Sequence, residues 1–244
     1  VATLDLTTAA TSITETDGVI LGASTVSSTL NLVAGGTITD SGILSIAGTS
    51  TFDNSGVGAA SDITLDNLNT FGGDVTITTH AGSDVSITDS GAFAIQAGLN
   101  VTDLIITAGG AVTDVGDINI DGDLTVSASG QTVELDGTGN AIDGAISLTG
   151  AAVTLVDTGS TDIDLIGAGG TVTVTTGGAT SLKGVSAAGQ TVNLTLGGAL
   201  TDGDADASGG DTTVNVTADT LNLLGNQAVT DIETTVATLD LTTA

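Results

Sequence analysis

Apolar and polar residues alternate one for one in short runs along the whole chain. Clear cases are Thr29-Leu-Asn-Leu-Val33, Asp74-Val-Thr-Ile-Thr78, Asp117-Ile-Asn-Ile-Asp121, Thr171-Val-Thr-Val-Thr175, Thr191-Val-Asn-Leu-Thr195 and Thr213-Val-Asn-Val-Thr217. A period of two with β-branched enrichment predicts strands of about 4–6 residues, one side packed inward and the other facing water. The 3.6-residue period of an amphipathic helix is missing. Glycine pairs punctuate the runs at Gly35-Gly36, Gly72-Gly73, Gly109-Gly110, Gly169-Gly170, Gly177-Gly178, Gly197-Gly198 and Gly209-Gly210, and they predict tight corners.

The runs recur at a regular interval. Taking Leu30, Phe52, Val75, Leu104, Leu124, Ile146, Val172, Val192, Val214 and Val236 as equivalent inward positions gives steps of 20 to 29 residues. A second element recurs with them: Ala34-Gly-Gly-Thr-Ile-Thr-Asp-Ser-Gly42, Ala108-Gly-Gly-Ala-Val-Thr-Asp-Val-Gly116 and, more loosely, Leu196-Gly-Gly-Ala-Leu-Thr-Asp-Gly203. Coils of this length, each holding two or three short strands, fit a parallel β-helix in which every coil pairs with its neighbours above and below. An antiparallel sandwich or barrel calls for hairpin turns, and the chain contains no Asn-Gly pair. The expected fold is all-β: a parallel β-helix of about ten coils, right-handed by the usual rule for parallel crossovers.

The last nine residues, Val236 to Ala244, repeat the first nine, Val1 to Ala9, after 235 positions. Residues 1–244 then read as one continuous solenoid segment and one unit of a tandem array, with a strand at each end ready to pair with another copy.

Composition narrows the picture. Three Phe are the only aromatics, Pro and Cys are absent, and hydrophobic residues still make up 40% of the chain, so the core must be aliphatic and built of many similar layers. Disulfides and thiolate metal sites are ruled out. No apolar run approaches the ~18 residues that span a bilayer. Lys183 is the only basic residue besides His80 against 29 acids, a net charge of −28, which argues against binding nucleic acid or an anionic membrane. Spread over ten layers of about 4.8 Å, that charge amounts to roughly one per ~1.7 Å of axis, so divalent cations are expected partners.

The Ile-Thr-Asp-Ser-Gly runs, Ile38 to Gly42 and Ile87 to Gly91, and the Ala-Gly-Gly corners resemble the β-helical repeats of very large bacterial surface proteins of the filamentous-haemagglutinin-like and repetitive-adhesin type. The resemblance implies an extracellular or cell-surface fibre.

Candidate chemistry is sparse. Asp202, Asp204 and Asp206 follow the one-three-five spacing of a Ca²⁺ loop, with Asp211 further on, but Ala207 and Thr213 stand where that loop carries Gly and Glu. The alternative is a solvated corner loop. Asp114, Asp117, Asp121 and Asp123 form a weaker cluster. His80 has no Cys partner for zinc, and a lone Lys183 cannot neutralise an acidic sugar for a lyase. Paired carboxylates could serve a glycosidase, but Phe52, Phe71 and Phe93 are better read as core filling than as sugar platforms. No catalytic residue and no required cofactor is assigned. The reading is a non-catalytic structural repeat of an extracellular fibre, sheath or adhesin stalk, associating with its own copies end to end and laterally. A Ca²⁺-dependent glycan- or surface-binding module is the alternative, and a glycan-degrading enzyme a weaker one.

Overall fold

In the computed structural model the described residues are all except Val1, Val57, residues 205–212, Asn226, Thr243 and Ala244. Among them the chain is all-β, with parallel strands wound into a solenoid of about twelve turns. Every strand ladder is parallel, and each pairs a strand with its counterpart one coil away. The first wall shows the winding most plainly. Ala2, Val19, Ile38, Ile63, Val85, Leu104, Leu124, Ile146, Ile163, Leu182 and Asp202 stack in one column, at steps of 17 to 25 residues.

The count exceeds ten because the inward positions chosen from sequence belong to different walls. Leu104, Leu124 and Ile146 share the first wall. Leu30 pairs with Ser50 and Ser50 with Val75 on the third wall, two residues out of step with Phe52, which pairs with Leu32 and Ile77. Val172 and Val192 stack with Leu221 on the third wall of later coils, whereas Val214 is an exposed residue. Period two is the same on every wall, so alternation alone cannot say which wall a strand occupies.

Inside, columns of Val, Ile and Leu fill the rod, with Leu21, Ile38, Ile63, Leu104, Leu124 and Ile146 fully buried. The three Phe lie inside too, Phe52 and Phe71 meeting edge to face with ring centroids 6.0 Å apart. Corners need glycine because coils touch there: a Cβ on Gly35 would overlap the carbonyl oxygen of Thr16 in the coil below.

The third wall is split once. Val75–Thr78 is laddered to Ser50–Asp53 below, and Phe93–Ile95 to Val112–Asp114 above. These two strands lie next to each other, yet no ladder joins them. The repeated terminal nonapeptide is also placed in two ways. Thr3 and Leu4 pair with Ile20 and Leu21 on the first wall, whereas Thr238–Thr242 pairs with Thr220–Leu224 on the third.

Candidate functional site

The recurring Gly-Gly-x-x-Thr-Asp element has a common structural use. Its aspartates, Asp40, Asp114 and Asp202, each grip a fully buried asparagine. Asn69 Nδ2 donates to Asp40 Oδ2 at 2.7 Å, Asn140 Nδ2 to Asp114 Oδ2 at 2.6 Å, and Asn215 Nδ2 to Asp202 Oδ1 at 2.9 Å. Each asparagine then accepts a main-chain N–H with its Oδ1, from Leu44 at 2.8 Å, Ile118 at 3.0 Å and Glu233 at 2.8 Å. A buried amide that finds partners on both ends locks the corner it spans, because leaving either end unpaired would cost its desolvation.

A second set of carboxylates forms a ladder outside the first wall. Asp62 Oδ1 accepts from Asp84 N at 3.0 Å, Asp84 Oδ1 from Asp103 N at 3.2 Å, Asp103 Oδ1 from Asp123 N at 2.8 Å and Asp123 Oδ1 from Ala145 N at 2.8 Å. One oxygen of each side chain thus serves the next coil. Asp117 accepts from Gly139 N in the same turn that Asp114 holds, and Asp121 from Asn119 Nδ2 two residues away, so Asp114, Asp117, Asp121 and Asp123 do not converge on one point.

The Asp202 segment is an insertion between two paired strands. Leu182 pairs with Asp202 and Val185 with Val216, so thirteen residues separate the two paired positions where the coil below has two. Asp202 therefore ends the strand Leu200–Asp202 within the stack, where its Oδ1 accepts from Asn215 Nδ2 and Asp204 N. Asp206 and Asp211 lie outside the described residues. Among the described residues no three His or carboxylate groups converge.

His80 sits in a tight turn with its Nδ1 donating to Ala81 O at 2.8 Å. Lys183 pairs with Asp164 at 3.0 Å on the surface, and the hydrogen bond from Lys183 holds the Asp164 carboxyl below its ordinary value.

One carboxylate stands apart. Asp89 is 1% exposed, and burial pushes its pKa upward, offset in part by main-chain N–H donors. Its Oδ1 accepts from Phe71 N and Gly91 N, both at 3.2 Å, while its Oδ2 has no partner. Asp157 is its complete counterpart. Asp157 Oδ1 accepts from Ile142 N and Gly159 N, and its Oδ2 from the hydroxyl of Thr161 four residues on, at 2.6 Å. Four residues after Asp89 the chain carries Phe93, which offers no donor. Asp89 lines a cleft of about 190 Å³ at the split in the third wall, together with Phe71, Asp74, Val75 and Phe93. Sequence reasoning passed over Asp89, whose pentapeptide Ile-Thr-Asp-Ser-Gly is identical to that around Asp40.

Fold and side-chain placement define a parallel β-solenoid assembled from repeats. The chain belongs to the family described as repeats of unknown function (DUF5649), whose model matches residues 3–78 and again residues 82–149, more than half of the sequence. Each matched segment holds four first-wall strands, and the seam between them, 79–81, falls where the third wall splits. Neither the curated proteins nor the solved structures gave a match.

Proposed function

We propose that this chain is a non-catalytic structural segment of an extracellular or cell-surface fibre, sheath or adhesin stalk of the kind its Ile-Thr-Asp-Ser-Gly and Ala-Gly-Gly elements resemble. The observation that carries this reading is how the polar side chains are used. Asp40, Asp62, Asp84, Asp103, Asp114 and Asp123 each accept a main-chain N–H or a buried amide from another coil, so these carboxylates join layers. An enzyme concentrates such groups in one cleft. Here they are distributed along an axis, as a load-bearing or spacing element requires.

In this reading residues 1–244 form one unit of a tandem array with a 235-residue period, and copies associate end to end. Twelve layers at about 4.8 Å give a rod of ~58 Å. Its 28 net negative charges then fall at roughly one per ~2 Å, a density that recruits divalent cations and lets them bridge rods side by side. Among the described residues no helix is long and apolar enough to cross a membrane.

The test is electron microscopy of a chain of two tandem units beside the single unit. A straight rod of doubled length and unchanged width is expected. Two separate bodies joined by a flexible link would refute the continuous-fibre reading.

A further inference from the structure

The split in the third wall is a place where one ladder stops while the first wall runs on. A strand laddered on one side only leaves alternate N–H and C=O groups pointing away from its partner, and solvent or a ligand must satisfy them. Val75–Thr78 and Phe93–Ile95 present two such edges to each other. Asp89 sits between them, one oxygen held by two main-chain donors and the other unpaired although the side chain is 99% buried. A buried oxygen without a partner is costly, and Asp157, which ends a third-wall strand and is held by the same kinds of main-chain donor, has its second oxygen satisfied because residue +4 is threonine. Asp89 itself lines the cleft, which offers its Oδ2 the space for a partner.

Three features decide what kind of partner. Asp74, on the open lip of the same cleft, is a second carboxylate, and no Lys, Arg or His lines the cleft. The unladdered edges carry alternating N–H and C=O groups, and the carbonyl oxygens among them are hard donors that cannot be protonated. The cleft's ~190 Å³ holds an ion with several waters. Two carboxylates, carbonyl oxygens and water form the donor set of a hard cation, which takes 6–8 oxygens when it is Ca²⁺. We propose that the cleft between Val75–Thr78 and Phe93–Ile95 binds a divalent cation of the Ca²⁺ class, with Asp89 Oδ2 as the inner ligand and Asp74 on the outer lip. The site is distinct from the Asp202 to Asp211 segment and stands whether or not the chain forms a fibre. A cation there would add a tie between the two DUF5649 segments, which the first-wall ladder of Ile63–Leu65 with Val85–Ile87 already joins, at the point where the third-wall ladder stops.

Amide NMR of the 244-residue chain, titrated with CaCl₂ in about 0.15 M KCl to screen the diffuse ion atmosphere, reads the site directly. Saturable shifts confined to Gly72–Val75 and Ser90–Ala94 are expected, with half-saturation at about 0.1–1 mM. Binding should weaken at least tenfold in Asp89→Asn and measurably in Asp74→Asn, a lip variant that leaves the core intact. Phe93→Thr should also lose binding, because its hydroxyl would stand where Thr161 stands beside Asp157. Asp62→Asn, in the outer ladder, should bind as the parent does. Shifts spread along Asp62, Asp84, Asp103 and Asp123 without saturation would overturn the proposal, as would parental affinity in Asp74→Asn and Asp89→Asn. A response to methylammonium but none to Ca²⁺ would reassign the cleft to an organic amine.

Discussion

Replacing Asn69 by Ala tests whether the buried asparagines lock the corners. The side chain is fully buried and makes three hydrogen bonds: Nδ2 to Asp40 Oδ2 at 2.7 Å and to Leu65 O at 3.2 Å, and Oδ1 from Leu44 N at 2.8 Å. Alanine leaves the Leu44 N–H buried and unpaired, which costs about 1–3 kcal/mol. The two donated bonds are worth about 1 kcal/mol each, and water recovers part of this because Asp40 is only half-buried. The sum is about 3 kcal/mol, or roughly two decades in a local opening equilibrium at 1.4 kcal/mol per decade. Hydrogen exchange of the Leu44 amide is the sharpest readout, since protection there should fall about 100-fold while amides several coils away, such as those of Val172–Thr176, change far less. Asn31→Ala is the control, because Asn31 is exposed and bonds only Ser12 Oγ at 3.3 Å. Leu44 protection that stays within threefold of the parent would refute the idea that the clip holds the corner.

Phe52 is fully buried against Phe71, so Phe52→Ala should cost about 3–5 kcal/mol in urea unfolding, and a loss under 1 kcal/mol would mean that the wide coil collapses around the gap. Gly35→Ala should lower the melting temperature sharply, because its Cβ meets the Thr16 carbonyl, whereas Gly56→Ala, with open space around it, should not; equal effects would refute the close-contact account of the corners. The raised pKa of Asp89 has a definite sign. Its folded value lies above the unfolded 3.8, so its contribution is greatest below 3.8 and is lost as pH rises through the folded value. With chelator present, Asp89→Asn should therefore gain on the parent as pH rises from 3.5 to 7, and a pH-independent difference would refute it. Lys183→Ala should change stability by less than ~0.5 kcal/mol, since the pair with Asp164 is over one-third exposed at both ends; a larger loss in urea unfolding would show that Lys183 also offsets Asp162 and Asp204.

Much of the fold could be read from the chain. Alternation at Thr171–Thr175 and Thr191–Thr195 predicted the strands that pair as Val172–Thr176 and Val192–Leu196, and the glycine pairs among the described residues predicted corners, Gly209-Gly210 lying outside them. The coil number could not be read as well, because Leu30, Leu104 and Val172 look alike but lie on different walls or columns. The locks were half legible. Asp40, Asp114 and Asp202 sit in a visible repeat, but their asparagines follow after 29, 26 and 13 residues, so no fixed spacing marks the partner. Asp89 was hidden more completely. Its pentapeptide equals that of Asp40, yet Ile38 pairs with Ile63 and Ile63 with Val85, which puts Ile87-Thr88-Asp89 two residues further along the strand, inside the rod.

The nonapeptide that occupies the first wall at one end and the third wall at the other says something about how such a molecule can change. Leu4 and Leu239 are equivalent in sequence but stack on Leu21 and Leu221, on different sides of the rod. A strand of alternating Leu and polar residues is therefore a brick that fits either side, and only the Asp–Asn clips and the glycine corners tell one course from another. Recombination between such bricks that copies or removes whole coils is therefore expected to keep the strand pairing intact. Length in a protein of this design is free to vary, while the few clipped corners keep each course in place.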